Sequence, residues 1–233
     1  MDMLSRKPII ETKEVIILTK SAKFKNYCVA GIDVETGEWV RLVSGIEDIH
    51  GALTEEHMTY EDGTKCQIFD RVKVAYIDKV PTETQPENLL IAEEYYMKKV
   101  GEESLDSVVK IHPAENHHYL FGTRYSAVKS SYLQELNVDY SLALIKVENF
   151  AFEKMENVDG YQKLKASFDY NGVRYERMSI TDKEYLEPKA GSLMSLSEAY
   201  LVVSIGEPYN ESYYKFVAQI FPTKVFPTKV FPV

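Results

Sequence analysis

The chain has 233 residues, 45% of them hydrophobic, enough to bury the core of one large domain or two small ones. Its formal net charge of -9 excludes a protein that attracts polyanions over its whole surface, so any nucleic-acid contact must rest on a local basic patch. No apolar run approaches the roughly 20 residues needed to span a bilayer as a helix. The opening "MDMLSRKPIIETKE" is broken by charges and has no signal-peptide core. Cys28 and Cys66 fit neither a CxxC spacing nor a disulfide framework, which suits reduced thiols in a cytoplasm.

In chain order, "EVIILTKS" (Glu14 to Ser21) reads as a strand whose centre, Val15 to Leu18, is apolar on both faces. The basic "AKFKN" leads into "CVAGIDVETGEWVRLVS", a hairpin turning at Glu35, Thr36, Gly37 and Glu38, where Gly37 accepts a positive φ. On its second arm Trp39, Arg41 and Val43 share one face, and Val40 and Leu42 the other. "CQIFDRVKVAYIDKV", Cys66 to Val80, alternates as a long strand closed by Pro81.

The middle changes character. "NLLIAEEYYMKKVGEE" places Leu89, Tyr96 and Val100 near helical spacing, with Gly101 as a C-cap. "SLDSVVKIHP" predicts a short helix with Ser104 as N-cap and Pro113 beyond its end, and "SAVKSSYLQEL" another. Strands then resume: Tyr140 to Lys154, a hairpin turning at Asn171-Gly172, and two more around the "GEPYNES" loop. Two blocks of four or five short strands predict a mainly β (α+β) chain of two small Greek-key barrels, the OB fold being the commonest of this size, with a helical insertion between them. A β-sandwich over the whole chain is the rival architecture. The boundaries that follow are 1–86 for the first barrel, 87–136 for the insertion and 137–221 for the second barrel. Residues 222–233 then form a disordered tail repeating Phe-Pro-Thr-Lys-Val, whose prolines exclude a central strand. A peptide ligand for another protein is the other reading of that tail.

"IILTKSAKFKNYCVAGIDVETGEWVRLVS", with "GAL" at Gly51 to Leu53 and "QPEN" at Gln85 to Asn88, resembles the start of the dual OB-containing domain family, and "YLVVSIGEPYNESYYKFVAQIF" resembles its closing segment. The resemblance runs from about Val15 to Phe221 and omits the repeats. It implies two OB-like barrels, a prokaryotic defence or mobile-element setting, and a role in binding nucleic acid or a nucleotide-like ligand.

Single-strand binders pair a cationic groove with flat rings on which bases stack. Lys20, Lys23, Lys25 and Tyr27 on the first connection, with Trp39 and Arg41 on the hairpin, supply both, although Glu47, Asp48, Glu55, Glu56, Glu61 and Asp62 follow closely. The segment "GEPYNESYYK" forms a second candidate, with Tyr209, Tyr213, Tyr214 and Lys215 able to line a pocket; Tyr213 and Tyr214 alternate, so they cannot both point into it. The histidines 50, 57, 112, 117 and 118 have no metal-ligand spacing, and no nucleotide-loop, nucleophile-elbow or zinc-protease motif is present. The expectation is therefore a non-enzymatic module for single-stranded DNA or RNA, without metal or cofactor and without a membrane partner. The alternatives are a scaffold docking a basic protein partner, such as a defence effector encoded nearby, and a sensor of nucleotides or other small ligands.

Overall fold

The computed structural model describes residues 10–136, 138–156, 162–186 and 195–225. They fall into two compact units. One gathers the chain up to Leu18 with Lys23–His112; the other gathers Thr19–Ala22 with the chain from Pro113 onward.

The first unit is built on β1 (Glu11–Lys23), β2 (Asn26–Asp33), β3 (Trp39–Val43), β4 (Asp70–Lys79), β5 (Asn88–Ile91) and β6 (Lys98–Glu102). Their order is β1-β2-β3-β5-β4-β6, and β4 also pairs with β1. Five strands therefore close into a ring, with β6 added alongside β4. The closing contacts are parallel between β3 and β5 and antiparallel between β1 and β4. Val15, Ile17, Val29, Val40, Leu42, Val72, Val74 and Leu89 alternate along these strands to fill the interior.

The second unit repeats the plan with β8 (Leu142–Glu156), β9 (Gln162–Tyr170), β10 (Val173–Ile180), β11 (Leu196–Ile205) and β12 (Ser212–Val225). Here β10 runs parallel to β12, and β11 antiparallel to β8, which closes the second ring. β7 (Ala127–Lys129) pairs with the start of β12. The core includes Ile145, Phe150, Phe168, Tyr175, Leu201 and Val217. The Asn171-Gly172 hairpin forms as expected, with both residues at positive φ (50° and 74°) and Val173 opposite Tyr170.

Several expectations are corrected. The helix read over Asn88 to Glu103 is the strand pair β5 and β6. Its helical stripe is not a buried one: Leu89 is in the core, whereas Tyr96 and Val100 are 50% and 43% exposed. Pairing along β4 decides the conformation, as strand pairing does when local propensity is weak. The helical insertion thus shrinks to α1 (Leu105–Ile111), where Ser104 Oγ accepts from Ser107 N at 3.2 Å, and α2 (Ser130–Glu135), which follows β7 rather than including it. At the other end, β12 continues through Pro222, where the expected tail begins. Pro222 stands opposite Ala199 of β11, beyond the last residue of β12 that β10 pairs. A missing N–H is tolerated there because only one edge of the strand is hydrogen-bonded. The remaining repeat residues, 226–233, lie outside the described residues.

One buried carboxylate fastens the second barrel. Asp182, 1% exposed before α3 (Lys183–Leu186), accepts from Gln219 Nε2 and Ile220 N, both at 2.9 Å, and from Glu184 N at 3.0 Å. Burial pushes its pKa up to about 7. Between its ordinary value of 3.8 and about 7 the folded protein holds a proton that the unfolded chain has released. Stability therefore falls as pH rises through this window. Denaturant unfolding of wild type and Asp182→Asn at pH 4 and pH 7.5 checks this. The wild type should lose about 3 kcal/mol relative to the variant on going to the higher pH; a pH-independent difference contradicts it.

Candidate nucleic-acid interface

The alternation of β9, β10 and β12 divides their side chains cleanly. Ala166, Phe168, Met178 and Val217 enter the core, so Lys165, Ser167, Ser179 and Phe216 point away from it, with Ser167 itself buried among its neighbours. The pairing then sets three of these in a row: Lys165 stands opposite Ser179, and Ser179 beside Phe216. Lys165 Nζ donates to Ser179 Oγ at 2.6 Å. Burial, and secondarily repulsion from Lys163, pulls its ammonium below the usual lysine range. Glu153 of β8 stands opposite Lys165, but neither Lys165 nor Lys163 forms an ion pair with a described residue.

Arg177 joins this face through a β-bulge. The register of β9 and β10 shifts between Tyr175 and Met178, and Arg177 takes a φ of 54°. Its N–H donates to Ser167 Oγ at 3.1 Å, Ser167 donates to Glu153, and Arg177 Nε lies 3.6 Å from Glu153 Oε2. That ion pair is solvent-exposed and holds the guanidinium weakly. Phe216 is fixed by a close approach, since a Cβ on Gly206 would lie 2.7 Å from its ring. One step earlier on β12, Tyr214 is 39% exposed while Tyr213 is in the core, the alternation expected for that pair. In all, the hairpin Gln162 to Ile180 carries Lys163, Lys165, Arg174 and Arg177 against Asp169 and Glu176, a net positive element in a chain of net charge -9. Arg174 is itself engaged, its Nη1 lying 3.1 Å from Asp169 Oδ1.

The residues singled out in the sequence are distributed differently. Arg41 is 3% exposed in β3, with Nη1 donating to Cys28 Sγ at 2.9 Å. Ala30 and Ile32 of the neighbouring β2 are also buried while lying outside the barrel core cluster, so this face offers no open groove. Trp39 is half-buried and meets His112 edge-on at 5.4 Å. Lys23 donates to His50 O at 2.7 Å, Tyr27 donates to Glu55, and exposed Phe24 stacks on His50 at 4.5 Å. Lys25 is exposed on the same β1–β2 turn, and Glu47, Asp48, Glu55 and Glu56, which lie on either side of His50 in the chain, are exposed too. Lys20 lies in the stretch Thr19–Ala22, which belongs to the second unit: Ala22 N donates to Thr181 O and Thr19 Oγ1 to Ala218 O. Arg41, being buried, therefore does not join Lys23 and Lys25 in a surface cluster. Tyr209 is 68% exposed on the β11–β12 loop, as a stacking residue must be.

Lys215 is the second correction. It is 1% exposed and points inward, donating to Leu120 O and Thr123 O at 2.6 Å and to Thr123 Oγ1 at 3.0 Å, 5.6 Å from the Tyr175 ring. Burial pulls its pKa down to about 7. It clamps the 120–123 turn onto the barrel and has no face left for a ligand.

A family model for the dual OB-containing domain matches residues 13–220. The chain belongs to that family. The two closed five-stranded rings supply the barrels its name describes, and OB folds bind their ligands on the face of the second and third strands and the adjoining loops. In the second dual OB barrel those strands are β9 and β10, and the neighbouring loop is the one carrying Tyr209. A search of curated proteins finds no match.

Sequence reasoning passed over Lys163, Lys165, Arg177 and Phe216. The signal was present in "KLKASF", where two lysines take the positions alternate to the apolar residues, but only the closed barrel shows which strand flanks them. Replacing Lys215 by Met should lower the unfolding free energy by about 1–3 kcal/mol, since Leu120 O and Thr123 O lose a buried donor. Urea denaturation measures this, and an unchanged midpoint contradicts the clamp.

Proposed function

We propose that this chain is a non-enzymatic module that binds single-stranded nucleic acid across the outer face of β9, β10 and β12. The observation that carries the reading is Lys165: a partly buried cation on the face that OB folds use for ligands, hydrogen-bonded to a hydroxyl, while its cross-strand neighbour Glu153 is turned to Ser167 and Arg177. A phosphate oxygen supplies the anion that this ammonium lacks. Lys163 and Arg177 extend the charge along the same face, and Phe216, Tyr214 and Tyr209 offer rings where flanking bases stack, each stack contributing about 1–3 kcal/mol. The acidic remainder of the surface repels the strand elsewhere and so confines it to this track.

The β1–β2 turn of the first barrel is a weaker competitor. Its amine Lys23 is already engaged with the His50 carbonyl, and exposed carboxylates lie on either side of His50 in the chain. Fluorescence anisotropy with labelled oligothymidylate and oligouridylate at low salt tests the assignment. The triple variant Lys163→Ala, Lys165→Ala, Arg177→Ala should bind at least 10-fold more weakly, with the slope of log K against log salt reduced by about 2. Lys23→Ala with Lys25→Ala should change affinity less than 3-fold. Wild-type protein that binds neither oligomer, or a triple variant that binds as well as wild type, overturns the reading.

A further inference from the structure

The first barrel carries a cavity of opposite electrostatic character, and its origin is visible in the strand register. Ile91 at the end of β5 stands opposite Tyr76, and Lys98 at the start of β6 stands opposite Lys73. Both strands run along β4, so residues 92–97, "AEEYYM", face a stretch of β4 consisting of Val74 and Ala75 alone. The surplus chain bows outward and leaves a cavity of about 410 Å³, within the range of small-molecule sites.

Its lining is specific in composition. Val74, Ile91 and Met97, which belong to the barrel core, close its inner end. Tyr95 and Tyr96, 54% and 50% exposed, supply two phenol rings at the mouth. Three carboxylates, Glu56, Glu93 and Glu94, share the site, and no lysine or arginine lines it. Glu93 is held in place: its Oε1 accepts from Gly45 N at 2.6 Å, and its Oε2 lies 3.8 Å from His57 Nε2. The His57 ring is itself oriented, since Nδ1 accepts from Thr54 N at 3.1 Å. The side chains of Glu56 and Glu94 make no hydrogen bond or ion pair with any described residue, and both are exposed at the cavity.

We propose that this cavity binds a small aliphatic cation, an alkylamine or alkylguanidine. The alkyl stem points inward, toward the floor that Val74, Ile91 and Met97 close. The cationic head meets the carboxylates of Glu56 and Glu94 and the π-faces of Tyr95 and Tyr96, the combination of anion and ring that attracts such heads. The same lining excludes phosphate, so this site is independent of the nucleic-acid face on the other barrel.

Titration with agmatine at low salt, followed by amide chemical shifts of the full chain, tests the proposal. Saturable shifts confined to residues 54–57 and 91–97 are expected. The variant Glu56→Gln, Glu94→Gln should bind at least 10-fold more weakly, and Tyr95→Leu, Tyr96→Leu several-fold more weakly, both with unchanged spectra elsewhere. 1-Pentanol, which has a stem and no charge, should give no saturable shift. Unsaturable shifts spread over the acidic surface, equal affinity in the glutamine variant, or the same shifts produced by magnesium chloride would show a diffuse anionic patch and overturn it.

Discussion

Each barrel depends on one parallel contact between strands that are distant in the chain: β3 beside β5, and β10 beside β12. Antiparallel neighbours alone would leave an open sheet with two unpaired edges. The parallel contact joins those edges, and it requires the long connections that leave β3 and β10 and return through β4 and β11. In the second barrel the contact is short, Ser179 beside Phe216 and Ile180 beside Val217. That short contact is also what places an aromatic ring next to the Lys165–Ser179 pair, so closure of the fold and assembly of the interface are a single event.

Charge placement follows from burial. Arg41 and Lys215 are basic groups that the fold takes inside: Lys215 donates to three oxygens, and Arg41 donates to Cys28 Sγ. Cations left on the surface divide into two kinds. Lys23 on the β1–β2 turn donates to a backbone carbonyl, whereas Lys165 donates to Ser179 and its cross-strand neighbour Glu153 is engaged by Ser167 and Arg177. The first barrel meanwhile concentrates carboxylates and phenol rings around the bulge between β5 and β6. The two barrels share a topology and present opposite local charge at these two places.

Much of the architecture was legible in residue patterns. Alternation located β2, β3, β8 and both hairpin turns, and the apolar run Val15–Leu18 announced a strand buried on both faces, as all four residues are. Ser104 announced a helix start. Asn88 to Glu103 misled because the glutamates and lysines there favour a helix weakly, while the tyrosines suit a strand and the available edge of β4 decides for strands. The site was less legible. Whether Arg41 or Lys165 meets water depends on what covers each sheet face, and alternation gives the face without its neighbour. Lys215 follows Tyr213 and Tyr214 in a loop-adjacent stretch that looks exposed, yet its parity with Tyr213 sends it inward.

The central claim is that the outer face of β9, β10 and β12 is where a single strand lies. Hydrogen–deuterium exchange of the protein with and without saturating oligothymidylate measures this most directly. Slowed exchange is predicted in Lys163 to Ser167, Glu176 to Ile180 and Tyr209 to Phe216, with the β1–β2 turn unchanged. Protection confined to Lys23 to Tyr27, or spread evenly over both barrels, would contradict the account.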